Sequence, residues 1–255
     1  MRAFFNQIHR SANDFKFYNE VKNFPLSESL KYIFLLLLVV SFAVTVRYGF
    51  ATQRGMSILA YWANKNLPVI NIQDGSASVD AQQPYKIPIE DGVLLLDTTG
   101  QTTSLDGYGK GMLLTKDKLV LKQNEAKTVV YSLSKVKSLR IDKNFFGMLK
   151  RYLPWVIAPF ILIGLYIYFC IARFLQIFLF SVLAFLISAL VKAGLSYRKV
   201  FNICVFAITP SMLLGTIAAF FMKPIAFFGL IYSALYIIYL AAGVVNAKEG
   251  HAGQG

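Results

Sequence analysis

Two apolar blocks constrain this chain more than any other feature. Tyr32 to Val46 is apolar apart from Ser41 and Thr45. From Leu153 to Val245 the sequence is almost continuously apolar, interrupted by isolated basic or polar residues. A helix that crosses a bilayer takes roughly 20 apolar residues, so these blocks predict an integral membrane protein. The composition agrees, with 56% hydrophobic and only 15% charged residues among 255. The first block reads as a retained span, not a cleaved signal. "VRYGFATQRG" behind it puts an arginine and bulky aromatics where a cleavage site needs small residues.

The long C-terminal block divides at its charges into predicted spans at about 154–172, 174–191, 200–221 and 225–245, the last behind Lys223-Pro224. Arg173 left mid-membrane in one continuous helix would cost roughly 2.5–3.5 kcal/mol. Residues 153–191 are also nearly twice as long as one span requires. A tight helical hairpin turning at Arg173 answers both objections. The expected fold class is thus an α-helical membrane protein of five spans, with span 1 at 32–50 and a four-helix bundle over 152–246. Ahead of it, residues 1–31 form a leader in which Phe4, Phe5, Ile8, Ala12, Phe15 and Tyr18 recur at roughly helical spacing among basic residues. That pattern suits an amphipathic helix at the membrane interface. The Gly-rich tail, 247–255, is expected to be disordered, with His251 solvated.

Between the first and second spans lies a polar region, 51–151. "GMSILAYWANKN" reads as helix, and from Pro68 the period changes to two. "VINI", "YKIPI", "VLLLD", "GMLLT", "KLVLKQ", "KTVVYSL" and "VKSLRI" are strand-like runs. Asp74-Gly75, Asp91-Gly92, Thr99-Gly100, Asp106-Gly107, Lys116-Asp117 and Lys143-Asn144 separate them as turn signals. A small antiparallel β-domain follows.

Its most enzyme-like stretch is "GVLLLDTTGQTTSLDG", an apolar run delivering Asp97, Thr98 and Gly100. An aspartic protease needs two carboxylates sharing one proton. Here an extra threonine shifts the glycine out of register and no second such motif exists. Asp97, Thr98 and Gly100 therefore read as a β-hairpin turn, in which Asx and Thr side chains and a positive-φ glycine suffice. Phosphate loops, helical His pairs and nucleophile elbows are missing from the sequence. No acid stands within the spans, which argues against a proton-coupled carrier. Cys170 and Cys204 lie in predicted spans, outside any disulfide or metal spacing. No catalytic, cofactor or metal residue is expected, and no enzyme activity.

The net charge of +13 does not mark a nucleic-acid partner. The basic residues are dispersed, and on a membrane protein they report lipid headgroups and topology. Within the bundle, three features stand out as contacts or as the lining of a ligand groove. Thr209-Pro210 interrupts a span, Gly215 and Ala219 form a small-xxx-small pair, and Tyr232, Tyr236 and Tyr239 share one helix face.

"FYNEVKNFPLSESLKYIFLL", "LPVINIQDGSASV" and "DTTGQTTSLDGYGKGMLLTKDKLVLKQ" together resemble an uncharacterised bacterial membrane-protein family, domain of unknown function 1189. Some of its members are described as maltodextrin-utilisation proteins. "GLSYRKVFNICVFAITPSMLL" is similar to the Yip-type membrane bundles. The resemblance implies architecture and no active site. The leading expectation is a non-enzymatic scaffold or sensor in the cytoplasmic membrane, its β-domain engaging an envelope ligand or partner. The family label implies, as an alternative, an accessory subunit of a sugar transport system. Analogy with Yip-type proteins adds a lipid-binding or membrane-organising role. Membrane lipids and another membrane protein or envelope ligand are the expected partners. Orientation carries a conflict. The leader holds Arg2, Arg10, Lys16, Lys22 and Lys31 and should be cytoplasmic, leaving the β-domain extracytoplasmic. Five spans then export the loop containing Lys192, Arg198 and Lys199, and Lys150-Arg151 flank the second span externally, both against the positive-inside rule.

Overall fold

The computed structural model of this chain describes residues 2–221 and 226–248. The Lys223-Pro224 boundary, the start of the last expected span and most of the expected tail, including His251, lie outside them. The chain divides into two compact units, residues 51–156 and residues 1–50 with 157–255.

In the first of these, strands β1 (Ile70–Gln73), β2 (Ser76–Val79) and β8 (Ser138–Ile141) form a sheet of order β2-β1-β8. Strands β3 (Tyr85–Ile89), β4 (Gly92–Leu96), β5 (Gly111–Leu114), β6 (Lys118–Asn124) and β7 (Lys127–Ser132) form a second, of order β3-β4-β5-β6-β7. All seven predicted runs are strands. The short β2, "SASV", was not anticipated because its small polar residues carry no apolar alternation. β4 pairs with β5 in parallel, a departure from the purely antiparallel expectation. The reason lies in β4 itself. Val93 and Leu95 pack with Leu105 and Leu113, while Leu96 packs with Ile70, Ile72, Ala77, Leu114 and Leu133. A strand buried on both faces is a continuous apolar run, which "VLLL" is.

Parallel neighbours need a long crossover, so residues 97–110 are a looping connection rather than the hairpin turn expected there. β4 and β5 also run very close at their starts. A Cβ on Gly92 would meet the Lys110 carbonyl oxygen at 2.6 Å, and one on Gly111 would meet the Val93 carbonyl oxygen at 2.8 Å. Lys143-Asn144, expected as a turn, instead opens a helix. Asp142 Oδ1 accepts the Phe145 N–H at 3.0 Å, capping the helix start.

The bundle unit begins with α1 (Arg2–Asn13) and α2 (Phe17–Val21). Then comes α3 (Leu26–Asn66), whose continuation past residue 50 carries the helical "GMSILAYWANKN". α4 (Lys143–Leu190) is one uninterrupted helix of 48 residues. The hairpin expected at Arg173 is therefore not formed. Ala172 to Phe174 contains no glycine, proline or helix-stopping polar cluster, and Arg173 finds partners on its own helix and a neighbour. α5 (Tyr197–Ala207) and α6 (Thr209–Phe221) follow, separated at Ile208 just before Pro210, and α7 (Phe228–Asn246) completes the bundle.

Among the described residues, four helical stretches are long and apolar enough to cross a membrane: Leu26–Asn66, Lys143–Leu190, Tyr197–Phe221 and Phe228–Asn246. The count is four where the sequence predicted five, because one helix replaces the hairpin. These stretches are compatible with a membrane protein. So is the apolar outer surface, where Phe42, Phe178, Leu186 and Ile238 are all exposed.

The leader does not behave as a free amphipathic helix. Phe4, Phe17, Tyr18 and Val21 are buried in the same core as Leu36, Ile177, Phe206, Tyr236 and Val244. Arg10 ties α1 to α2 through Asp14 and Glu20, and its guanidinium lies 4.4 Å from the Phe17 ring centroid.

Candidate functional site

In the β-unit the enzyme-like loop is pinned shut by its own residues. Asp97 is fully buried and its carboxylate accepts the Thr99 N–H at 2.9 Å, the Thr99 hydroxyl at 2.6 Å and the Thr102 N–H at 2.6 Å. Thr98 donates its N–H and its hydroxyl to Gln83 Oε1 instead, at 2.6 and 3.0 Å. Gly100 turns the chain at φ +88°, where a side chain would strain it.

Burial pushes the Asp97 pKa up, but the Thr99 and Thr102 donors outweigh it and hold the pKa at about 2, against 3.8 for a free aspartate. A group with a depressed folded pKa contributes stability above its unfolded pKa and loses it as pH falls through the folded one. The difference corresponds to roughly 2 kcal/mol. Asp97→Asn should therefore lower the stability of the β-unit by about that amount at pH 7. Thermal unfolding followed by β-sheet circular dichroism checks this. The gap to wild type should close as pH falls from 3.8 towards 2, and a gap that stays constant with pH contradicts the account.

In the bundle, the three tyrosines of α7 do share a face, but each does something different. Tyr236 is fully buried, donates to the Cys204 carbonyl at 3.1 Å and stacks on Phe180 with ring centroids 4.7 Å apart. Tyr239 donates to the Ala12 carbonyl of α1 at 2.8 Å. Tyr232 is also buried, yet its hydroxyl has no partner among the described residues.

Thr209 is buried and shares a 2.7 Å hydrogen bond with the Tyr32 hydroxyl of α3. Pro210 is buried beside it, where its missing N–H permits the break between α5 and α6. Gly215 faces Tyr232, whose ring would lie 3.6 Å from an added Cβ, an ordinary contact distance. Ala219 is half-buried one turn further along α6.

A close helix approach falls at Gly243, which the sequence reading passed over. A Cβ there would meet Ile203 at 2.8 Å and the Tyr18 ring at 3.0 Å. Nothing in "LAAGVVN" distinguishes that glycine from its small neighbours.

Two polar groups that sequence reasoning missed hold one end of the bundle. Asn202 of α5 is fully buried, accepts the Ser29 hydroxyl at 2.9 Å and donates to the Phe24 carbonyl at 2.8 Å. Lys22 is buried and donates from Nζ to the Ala247 carbonyl at 2.8 Å. The only available signal was an asparagine within an otherwise apolar span.

The least satisfied cluster is built on Arg173 of α4. Its Nη1 donates to Gln176 Oε1 one turn on at 2.7 Å, and its guanidinium carbon lies 4.7 Å from the Tyr232 ring centroid. Its Nε is buried and unpartnered. The structure thus joins Tyr232 and Gly215, both singled out from sequence, to an arginine expected to mark a hairpin turn. Thr209, Pro210, Tyr236 and Tyr239 serve helix packing at other points of the bundle.

A family model described as "Protein of unknown function (DUF1189)" matches residues 5–244. The chain belongs to the DUF1189 family. No curated protein and no solved structure matches it. The DUF1189 match takes in the pinned Asp97 loop, Asn202, Arg173 and Tyr232. The Ala247 carbonyl that receives Lys22 lies just beyond it.

Proposed function

We propose that this chain is a non-enzymatic integral membrane protein, a scaffold or sensor whose extracytoplasmic β-domain engages an envelope ligand or partner. The carrying observation is how the bundle uses its polar groups. Tyr18 donates to the Ser11 carbonyl, Tyr236 to Cys204, Tyr239 to Ala12 and Asn202 to Phe24. Hydrogen bonds of this kind lock helices and segments together, as suits an anchor that presents a folded module.

Four crossings also remove the part of the orientation conflict raised by the later basic residues, although Lys150-Arg151 still flank the second span on the outside. Two crossings, not three, then precede the segment with Lys192, Arg198 and Lys199, which returns it to the side of the basic leader. The bonds from Lys22 to Ala247 and from Asn202 to Phe24 fit that arrangement, since they gather the leader, the start of α5 and the end of α7. All these basic residues then obey the positive-inside rule together. Residues 67–142, following the first span in sequence, fall on the opposite side.

Ser104 is exposed on the crossover loop and serves as the test position. Ser104→Cys, in a background free of Cys170 and Cys204, should react with a membrane-impermeant maleimide in intact cells, after permeabilising any outer membrane. Labelling only after the cytoplasmic membrane is opened would overturn the orientation. A photo-crosslinker at the same cysteine should give a reproducible adduct with an envelope component. An accessible site that yields no adduct would sink the sensor reading. Recovery of permease subunits as the adduct would point instead to a transport accessory.

A further inference from the structure

Among the described residues, Arg173 is a cation with no carboxylate paired to it. From Lys143 to Lys248 the chain holds no Asp or Glu. A guanidinium offers five N–H donors in a planar fork. In Arg173, Nη1 is used on Gln176, a neutral acceptor, and Nε is buried with no partner. The Tyr232 ring below it supplies a cation–π contact, with the guanidinium carbon 4.7 Å from the ring centroid.

Tyr232 itself is only 7% exposed and its hydroxyl has no partner among the described residues. A buried hydroxyl left unpaired costs free energy. One position therefore combines an unneutralised guanidinium, an idle buried hydroxyl and a glutamine. Ile171 and Leu175, two positions to either side and therefore on the opposite, outer face of α4, are large, apolar and exposed.

We propose that Arg173, Gln176 and Tyr232 bind the phosphate of an anionic glycerophospholipid, which reaches them laterally from the bilayer beside α4. Three arguments select this ligand. A phosphodiester presents paired oxygens that fit the guanidinium fork. Its oxygens also accept from the Tyr232 hydroxyl, which needs an acceptor. Finally, the apolar outer surface of the bundle favours a ligand that brings acyl chains, whereas free phosphate would have to leave water for an apolar surface. Net negative charge is required, because the site has no acid to receive the ammonium of a zwitterionic headgroup. The proposal rests on the membrane placement above and is independent of what the β-domain binds.

Full-length protein in mild detergent is titrated with phosphatidylglycerol, phosphatidylcholine and inorganic phosphate, and bound lipid is read by native mass spectrometry. Phosphatidylglycerol should be retained preferentially, and inorganic phosphate should not displace it. Tyr232→Phe removes a hydroxyl that the protein itself does not use. It should keep the melting temperature and weaken phosphatidylglycerol binding about tenfold, the effect of losing one hydrogen bond to a charged group. Arg173→Gln should abolish the headgroup preference.

Equal retention of both lipids, or unchanged affinity in Tyr232→Phe, overturns the proposal. Displacement by inorganic phosphate overturns the lipid as source, leaving a free-anion site. Extraction of the chain from membranes by alkaline carbonate would show instead that the membrane placement had failed.

Discussion

Tyr18→Ala should unfold the bundle unit more readily than any other single aromatic truncation in the leader, lowering its stability by about 3–5 kcal/mol. Tyr18 is fully buried, although it lies in a short helix that the sequence assigned to the membrane surface. Its ring presses against the Gly243 position of α7, and its hydroxyl donates to the Ser11 carbonyl at 2.8 Å. Truncation to alanine leaves a cavity where α2 meets α5 and α7, and it strands that carbonyl. Tyr18→Phe keeps the ring and removes only the hydrogen bond, so it should cost about 1 kcal/mol. Thermal unfolding of the two purified variants in detergent, followed by helical circular dichroism, separates these outcomes. If the leader lay free at the interface, both substitutions would leave the melting temperature unchanged.

Tyr18 also marks where the sequence stopped being readable. Phe4, Ile8, Phe15 and Tyr18 have the spacing of an apolar helix face, and spacing cannot say whether lipid or protein covers that face. Two further facts decided it, neither local to the leader. Gly243 lies far along the chain and leaves room for the Tyr18 ring, and Ala12 offers its carbonyl to Tyr239. The same limit explains the hairpin expected at Arg173. The cost of a buried arginine was assessed as if it faced lipid alone, whereas Gln176 and the Tyr232 ring receive it in the folded bundle.

Strand positions were legible because period-two alternation and turn residues are local signals. Pairing order was not, since a parallel neighbour such as β5 is chosen by burial on both faces of β4. In the Asp97 loop the residue types indicated a closed turn. Its role in a crossover between parallel strands depended on partners 15 or more residues apart in sequence, such as Gln83 with Thr98 and β4 with β5.

Asn202→Leu is the sharper test of the bundle's closed end. Asn202 is fully buried, and its side chain satisfies groups from three places in the chain. It accepts from Ser29 on α3, donates to the Phe24 carbonyl at 2.8 Å, and lies 3.4 Å from the Lys22 carbonyl. Leucine keeps the branched shape and the number of side-chain heavy atoms, but its methyl groups are bulkier, so some overpacking adds to the loss of hydrogen bonding. It leaves the buried Ser29 hydroxyl and the half-buried Phe24 carbonyl without this partner, at about 1–3 kcal/mol for the first and less for the second. The expected loss is therefore about 2–5 kcal/mol, larger than for most surface changes in the chain.

Ser29→Ala on the wild-type background should cost about 1 kcal/mol. On the Asn202→Leu background it should cost little or nothing, because the stranded hydroxyl disappears with it. This double-mutant cycle, measured by unfolding in detergent, isolates the pair. Strict additivity of the two substitutions would mean that Ser29 and Asn202 do not interact in the folded bundle. The bond joining α3 to α5 would then be absent, and with it one of the ties that gather the leader and the start of α5 at one end.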